Sequence, residues 1–202
     1  MTFDPLPIGW QDLPPRDRLL HTAHALFYRD GIRATGIDWV IVESGVTKVT
    51  FYRHFPSKNA LICAYLEYRH AGWVAWFSDA LQRHGKTLRQ GAHRVHALAP
   101  ALAEWLGSEH FRGCAFINSV SELGETVPEV VEIARRHKLE MTALLATLLP
   151  VSAQQTQDAQ ALTLVVEGAI VRVQMGEPVR AVVATVSRLT NALVPALAPR
   201  EG

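Results

Sequence analysis

Cysteine and long apolar runs are both scarce in this sequence. The 202 residues include two cysteines, Cys63 and Cys114, whose separation matches no metal-binding spacing and provides no disulfide framework. No stretch of about 18 apolar residues occurs, so no membrane-spanning helix is predicted. The N-terminal segment contains Asp4 but neither a basic region nor an apolar core, which argues against a secretory signal. We therefore expect a soluble protein in a reducing, cytoplasmic compartment.

Sequence motifs of catalysis are also absent. The patterns G-x-S-x-G, H-E-x-x-H, the phosphate-binding loop and G-x-G-x-x-G do not occur. His21 with His24, and His93 with His96, have a spacing that could share a metal, but no cysteine or carboxylate completes such a site. We expect no enzyme activity, no cofactor and no metal. A helical enzyme without a recognisable motif and a purely structural helical interaction protein are the rival hypotheses.

The spacing of apolar residues predicts an all-α protein of about nine helices. Apolar positions recur at helical spacing, even in the valine-rich segments near the end of the chain, and glycines and prolines separate the segments. The predicted helices cover about 15–30, 36–44, 48–55, 58–84, 87–106, 114–123, 128–149, 158–175 and 178–194. Thr35, Thr47 and Ser57 are the predicted N-caps, and Gly31 and Gly45 the predicted helix stops. Residues 1–14, with three prolines and one glycine, are predicted to be a flexible arm.

A stretch of fourteen residues in the first third of the chain contains basic residues and no acid. The formal net charge is only +1, so any nucleic-acid site must be a local patch. Residues 45–58, GVTKVTFYRHFPSK, carry Lys48, Arg53 and Lys58 without Asp or Glu. Phosphates repel acids, so a helix that approaches DNA loses them and offers hydrogen-bond donors. Three basic residues alone are more typical of a solvated helix face, so the interpretation depends on the surrounding pattern.

That surrounding pattern predicts a helix-turn-helix. A tight turn at residues 44–46 joins two short helices, and the second helix of such a unit enters the major groove. Val46, Phe51 and Phe55 are the predicted inward anchors, which leaves the donors on the outer face. The combination of turn, helix length and donors favours DNA binding over a solvated face.

Residues 16–62 resemble the DNA-binding domain of the TetR family of transcriptional regulators. The resemblance rests on ALFYRDGIRATGID, on ESGVTKVTFYRHFPSKNAL and on the apolar spacing between them. It implies that Thr47 caps the recognition helix, that Lys48, Val49 and Arg53 touch bases or nearby phosphates, and that other donors bind phosphate. The implied DNA-binding residues are Thr35, Thr47, Lys48, Val49, Thr50, Tyr52, Arg53, His54 and Lys58.

The same resemblance implies a division of the chain and a set of partners. It places a helix-turn-helix domain at 15–60 and a larger helical domain, which binds a small molecule and dimerises, at 61–202. The implied function is that of a homodimeric repressor, released by a small apolar or aromatic effector from a double-stranded DNA operator with an inverted repeat. No membrane partner is expected.

Two features of the larger half support these roles independently. Aromatic residues concentrate between 65 and 116, where they are either core or the lining of a ligand cavity. The segments LTLVVEGAIVRV and VRAVVATVSRL have few charges and many small residues, which favours a self-complementary helical face. The predicted ligand-binding residues are Trp73, Trp76, Phe77, Trp105, Phe111, Phe116 and Asn118. The predicted dimerisation residues are Val166, Ala169, Val173, Val182, Val183 and Val186.

Cys114 leaves one further alternative open. It follows Arg112 closely, and a nearby guanidinium favours the thiolate that redox and electrophile sensors need. A buried, inert thiol fits the same residue. A thiol-based repressor therefore stands as the alternative to a repressor released by a small molecule.

Overall fold

The computed structural model describes residues 9–197, and within that range it contains helices and no strand. The all-α prediction is confirmed. The α-helices described are α1 (Pro15–Asp30), α2 (Ile37–Ser44), α3 (Lys48–His54), α4 (Lys58–Lys86), α5 (Leu98–Leu106), α6 (Ala115–Leu123), α7 (Pro128–Ala146), α8 (Gln155–Gln174) and α9 (Val179–Leu197).

Local signals set most helix ends. Gly31 and Gly45 end α1 and α2 with φ of 91° and 62°, backbone conformations that glycine adopts without steric cost. The hydroxyls of Thr47 and Ser57 accept hydrogen bonds from the backbone N–H of Thr50 and Ala60 at 3.2 and 3.1 Å. These four predicted helix ends are therefore confirmed.

Two segments differ from the prediction. The helix predicted over 87–106 begins only at Leu98, after a 3-10 helix at Arg94–Ala97. Gly91 has φ of 81° and His93 accepts a hydrogen bond from the Val95 N–H, so the chain turns where a continuous helix was expected. In the predicted arm, residues 10–12 form one turn of 3-10 helix, and residues 1–8 lie outside the described part.

The first compact unit of the chain comprises residues up to 73 together with 114–137. Helices α2 and α3 both pack on α1, whose apolar stripe includes the fully buried Leu19 and Ala23. The first half of α4 is tied to α1 by Arg69, whose guanidinium lies 3.6 Å from the centre of the Tyr28 ring and 3.0 Å from the His24 Nε2. This packing holds the two short helices in a fixed orientation.

The second unit comprises 74–113 together with residues from 138 onward. Here α9 packs against α5 and α8, around a core that includes Leu98, Leu102, Leu162 and Val186. The units differ from the predicted division at residue 60 because α4 and α7 are each continuous helices with residues in both units. None of the described helices is both long and apolar enough to cross a bilayer.

Candidate functional site

The turn between α2 and α3 fixes the direction in which α3 leaves α2. The Gly45 N–H donates to the Val42 carbonyl at 3.1 Å and the Val46 N–H donates to the Ile41 carbonyl at 3.3 Å, which closes the end of α2. Two residues later, the Thr47 hydroxyl caps α3. Both ends of this short connection are thus held by hydrogen bonds.

The helix α3 buries one face and exposes the other. Val46, Phe51 and Phe55 are 7%, 0% and 3% exposed, so the predicted inward anchors are confirmed. The outer face carries side chains that can donate hydrogen bonds and one apolar side chain. Its exposed residues are Thr47, Lys48, Val49, Tyr52 and Arg53, and Thr50 and His54 are half-buried.

Lys48 has an acidic partner that the sequence around it does not contain. Its Nζ lies 3.1 Å from Oδ1 of Asp38, in the first turn of α2. This hydrogen bond holds the pKa of the Lys48 ammonium above its usual value, so the group stays charged. The prediction that the basic residues of 45–58 lack a neutralising acid is therefore wrong for Lys48. The packing of α3 on α2, rather than sequence proximity, supplies the acid.

Lys58 is directed into the protein rather than towards solvent. Its Nζ donates to the Ile32 carbonyl at 2.6 Å, and burial lowers the pKa of the ammonium group. The Ile32 carbonyl is in the loop between α1 and α2. A phosphate contact by Lys58 would require this hydrogen bond to break.

Thr35 does not reach the surface. The residue is fully buried, and its hydroxyl donates to the Gly31 carbonyl at 2.8 Å. Gly36, not Thr35, occupies the N-cap position of α2. The predicted roles of Thr35 as a helix cap and as a DNA-contacting residue are therefore corrected, because its hydroxyl closes the loop after α1.

The predicted ligand-binding aromatics of the second unit form one cluster. The ring centres of Trp76 and Trp105 are 6.3 Å apart, and Phe111 meets Trp105 edge-on at 5.5 Å. Phe77, which is fully buried, stacks against Trp76 at 6.1 Å. The Trp76 Nε1 donates to the Glu104 carboxylate at 3.3 Å, which fixes the indole orientation.

The remaining predicted ligand-binding residues belong to the first unit. Phe116 stacks on His137 with ring centres 3.7 Å apart, and Trp73 meets the same imidazole at 4.9 Å. The Nδ1 of His137 lies 3.2 Å from the Nδ1 of His70, a buried neighbour on α4. Asn118, on α6, is half-buried.

An apolar groove runs between α8 and α9 on the surface of the second unit. It has a volume of about 310 Å³. Its lining is almost entirely aliphatic or small, and includes one arginine. The lining residues are Leu164, Val165, Gly168, Ala169, Arg172, Val182, Thr185, Val186 and Leu189.

Three of the six predicted dimerisation residues, Ala169, Val182 and Val186, line this groove. Val166 is fully buried within the chain, and Ala169, Val182 and Val186 are at most 4% exposed, whereas Val173 and Val183 are half-buried. The exposed apolar side chains are instead Leu164 and Leu189, at 69% and 42%. The prediction of Val166 as a subunit contact is corrected, because its side chain is fully buried within the chain.

The structure also bears on the two remaining hypotheses, thiol sensing by Cys114 and metal binding by histidines. The Cys114 side chain is buried, at 2% exposure. For the other cysteine, Cys63, burial raises the pKa of the thiol. The Arg112 guanidinium donates to the carbonyls of Glu109 and Phe111, both at 2.9 Å. Within residues 9–197, no group of three or more His, Cys, Asp or Glu side chains is arranged to hold a metal ion.

Comparison with known proteins gives results consistent with this geometry. Residues 19–65 match the family model of the bacterial regulatory proteins of the tetR family. The chain is 40% identical over 53 residues to the uncharacterized HTH-type transcriptional regulator YerO of Bacillus subtilis, a match covering 26% of this chain and 18% of YerO. It is 24% identical over 147 residues to the HTH-type transcriptional regulator UidR of Escherichia coli, which covers 73% of this chain and 67% of UidR.

The likeness to solved structures extends over nearly the whole chain. The crystal structure of SCO4454, a TetR-family transcriptional regulator from Streptomyces coelicolor, superposes with a TM-score of 0.76 at 27% identity. The superposition covers 91% of this chain and 95% of that one. By contrast, the match to YerO spans under a fifth of the length of that relative. The local match at the helix-turn-helix and the likeness along the full chain both relate this chain to the TetR family of bacterial regulatory proteins.

Proposed function

We propose that this protein is a homodimeric, DNA-binding transcriptional repressor of the cytoplasm that a small molecule releases from its operator. The observation that carries the proposal is α3, a capped helix with three buried anchors and an outer face of hydrogen-bond donors. The TetR-family helix-turn-helix match supports the same reading.

The outer face of α3 suits the major groove. Arg53 is exposed and can donate to guanine acceptors, and the exposed Val49 is an apolar side chain of the kind that contacts the thymine methyl group. Tyr52, Thr50 and His54 offer donors for phosphate oxygens. We keep these residues, with Lys48 and the capping Thr47, as the proposed interface. Lys58 is proposed to act mainly within the fold.

We infer homodimerisation from the shortness of the recognition helix α3 and from the apolar groove between α8 and α9. The seven residues of α3 span about 10 Å and contact only a few base pairs. Selective recognition of one operator therefore requires a second copy of the protein. The groove of α8 and α9 offers an apolar, nearly uncharged surface to an identical partner. Two-fold symmetry of the protein then requires an inverted repeat in the operator.

The effector is proposed to be an apolar or aromatic small molecule. Trp76, Trp105 and Phe111 pack into one aromatic cluster beside the Glu104 carboxylate, and aromatic side chains with a few fixed polar groups are usual in sites that bind such molecules. Thiol sensing receives less support from the geometry, because the Cys114 side chain is buried.

A gel shift with DNA from upstream of the protein's own gene tests the proposal. The wild type should bind that DNA much more tightly than a scrambled duplex of equal length. Arg53→Ala should reduce this preference by about 1–3 kcal/mol, whereas Arg89→Ala, an exposed arginine in the second unit, should not. Equal affinity for both duplexes would contradict the proposal.

The regulatory part of the proposal needs a separate measurement. Ligands found by quenching of tryptophan fluorescence should lower operator affinity, because an effector acts only through unequal affinity for the two states of the protein. Ligands that bind near the Trp76–Trp105 cluster and never change operator affinity would refute effector control while leaving DNA binding intact.

A further inference from the structure

An exposed ion pair lies beside the outer face of α3. The Asp38 and Lys48 side chains are 83% and 63% exposed, yet their charged atoms are 3.1 Å apart. Such exposed pairs contribute little to stability, because solvent screens the attraction and ordering two side chains costs entropy. The ion pair itself therefore adds little to the stability of the fold.

An acid at this position weakens the affinity for DNA if α3 approaches the phosphate backbone. The Asp38 carboxylate is repelled by phosphates, and it occupies the ammonium group that would otherwise neutralise one of them. A lysine that is already paired with a carboxylate binds a phosphate group weakly. It remains a well-placed donor for another acceptor, because an ammonium group has three hydrogens and Asp38 takes one.

The pair matches the major-groove edge of one base pair. Guanine presents the acceptors N7 and O6, and the cytosine paired with it presents the N4 amino donor. O6 and N4 are hydrogen-bonded to each other and so lie about 2.9 Å apart, close to the 3.1 Å between Lys48 Nζ and Asp38 Oδ1. At this separation the ammonium group can donate to O6 while the carboxylate beside it accepts from the N4 amino group. An A·T pair offers an amino donor and a carbonyl acceptor in the groove but also a bulky methyl group beside the carbonyl.

We infer that Asp38 and Lys48 together read one G·C base pair in each half-site, with Lys48 donating to guanine and Asp38 accepting from cytosine. This assignment rests on the proposed DNA binding and adds to it a specificity-determining residue on α2, outside the recognition helix.

Selection from a randomised operator library by the purified full-length protein tests the inference. The wild type should require G·C at one position of each half-site. Asp38→Ala and Lys48→Ala should each lower that preference by roughly fivefold or more, at the same position. Asp38→Ala should also bind non-specific DNA more tightly and steepen the dependence of log K on log salt by about 0.9 for each lysine set free.

Glu43→Ala is the matched control. Glu43 is the other exposed acid of α2, so its removal makes the same change in charge without breaking the pair. This variant should keep every base preference of the wild type, and thermal melting should show that all three variants fold.

The outcomes separate the inference from the proposed function. If the wild type selects a sequence and Asp38→Ala behaves like Glu43→Ala, or if the affected position is A·T, the inference is overturned and DNA binding stands. If the wild type selects no sequence at all, the proposed function fails and the inference fails with it.

Discussion

At the scale of single residues, Lys58 connects the end of the helix-turn-helix to the loop that follows α1. Its ammonium group donates to the Ile32 carbonyl at 2.6 Å, a short hydrogen bond between a charged donor and a neutral acceptor. The pKa of the group is lowered by burial and raised in part by Glu122. Lys58 thus stabilises the loop that leads into α2.

Replacing Lys58 by methionine should therefore destabilise the fold. The variant keeps an apolar stem of similar length and loses the donor, so the Ile32 carbonyl is left without this hydrogen bond. We expect the free energy of unfolding, measured with urea, to fall by about 1 kcal/mol. Lys86→Met, at the exposed end of the same helix, should change it little. Unchanged stability together with uniformly weaker DNA binding would show that Lys58 is a phosphate ligand instead.

Local and distant residue contacts differ in how far sequence predicts them. The caps by Thr47 and Ser57 and the inward anchors of α3 depend on residues within one or two helical turns, and these were predictable. The partners of Lys48 and Lys58 lie 10 and 26 residues away. Those contacts follow from the packing of helices, which helical periodicity alone does not specify.

At the scale of the helical elements, α3 is short enough to depend on its cap. Seven residues form few internal hydrogen bonds, and nucleating a helix is costly. The Thr47 hydroxyl satisfies the N–H of Thr50 at 3.2 Å. Thr47→Ala should lower the free energy of unfolding by about 1 kcal/mol, as measured by chemical denaturation. Thr47→Ser retains the capping oxygen and should be close to the wild type; equal losses in the two variants would argue against the capping role.

Helices α4 and α5 are joined in the second unit by Glu104. Its carboxylate accepts hydrogen bonds from Arg83 at 2.9 Å and from the Trp76 indole at 3.3 Å, and it lies 3.1 Å from the His84 Nε2. The Arg83 guanidinium is the main reason that the pKa of Glu104 lies below its usual value of 4.5, and His84 and Trp76 lower it further. The stabilisation from ionised Glu104 is therefore present in full above pH 4.5 and is lost as pH falls through the lower, folded-state pKa.

A comparison of Glu104→Gln with the wild type should show this pH dependence. At pH 7 the variant should be less stable by about 0.5 kcal/mol, a small value because solvent screens the partly exposed group. The difference should shrink below pH 4.5, when the wild-type carboxylate also becomes neutral. Urea unfolding at several pH values measures it. A difference that stays constant down to pH 3 would show that shape rather than charge at residue 104 matters.

At the scale of the whole molecule, the single chain leaves an apolar surface open between α8 and α9, which the proposed second copy would cover. Both α8 and α9 bury one apolar face in the second unit and expose another, which includes Leu164 and Leu189. Sequence patterns predicted that the two terminal helices form the subunit face. They did not distinguish the inner from the outer face, because both carry branched or small residues at helical spacing. That distinction required the packing of α9 against α5.

A charge on the outer face should separate the subunits without unfolding them. Leu164 is 69% exposed and lines the groove, so Leu164→Asp costs little in the single chain but places a carboxylate in the proposed dimer interface. Burying an unpaired charge there opposes association. Val166→Asp would be a poor test, because Val166 is fully buried and its replacement would damage the core. We expect light scattering to show a folded monomer for Leu164→Asp.

The same variant should lose tight operator binding although α3 is untouched, because one short recognition helix contacts only half of an inverted repeat. Leu139→Asp is the control, since Leu139 on α7 is 63% exposed and lies outside the groove lining. That variant should remain dimeric and bind the operator as the wild type does. If Leu164→Asp is a folded monomer with full operator affinity in a gel shift, recognition does not depend on the pairing of two subunits. If it remains a dimer with wild-type affinity, the groove between α8 and α9 is not the subunit face.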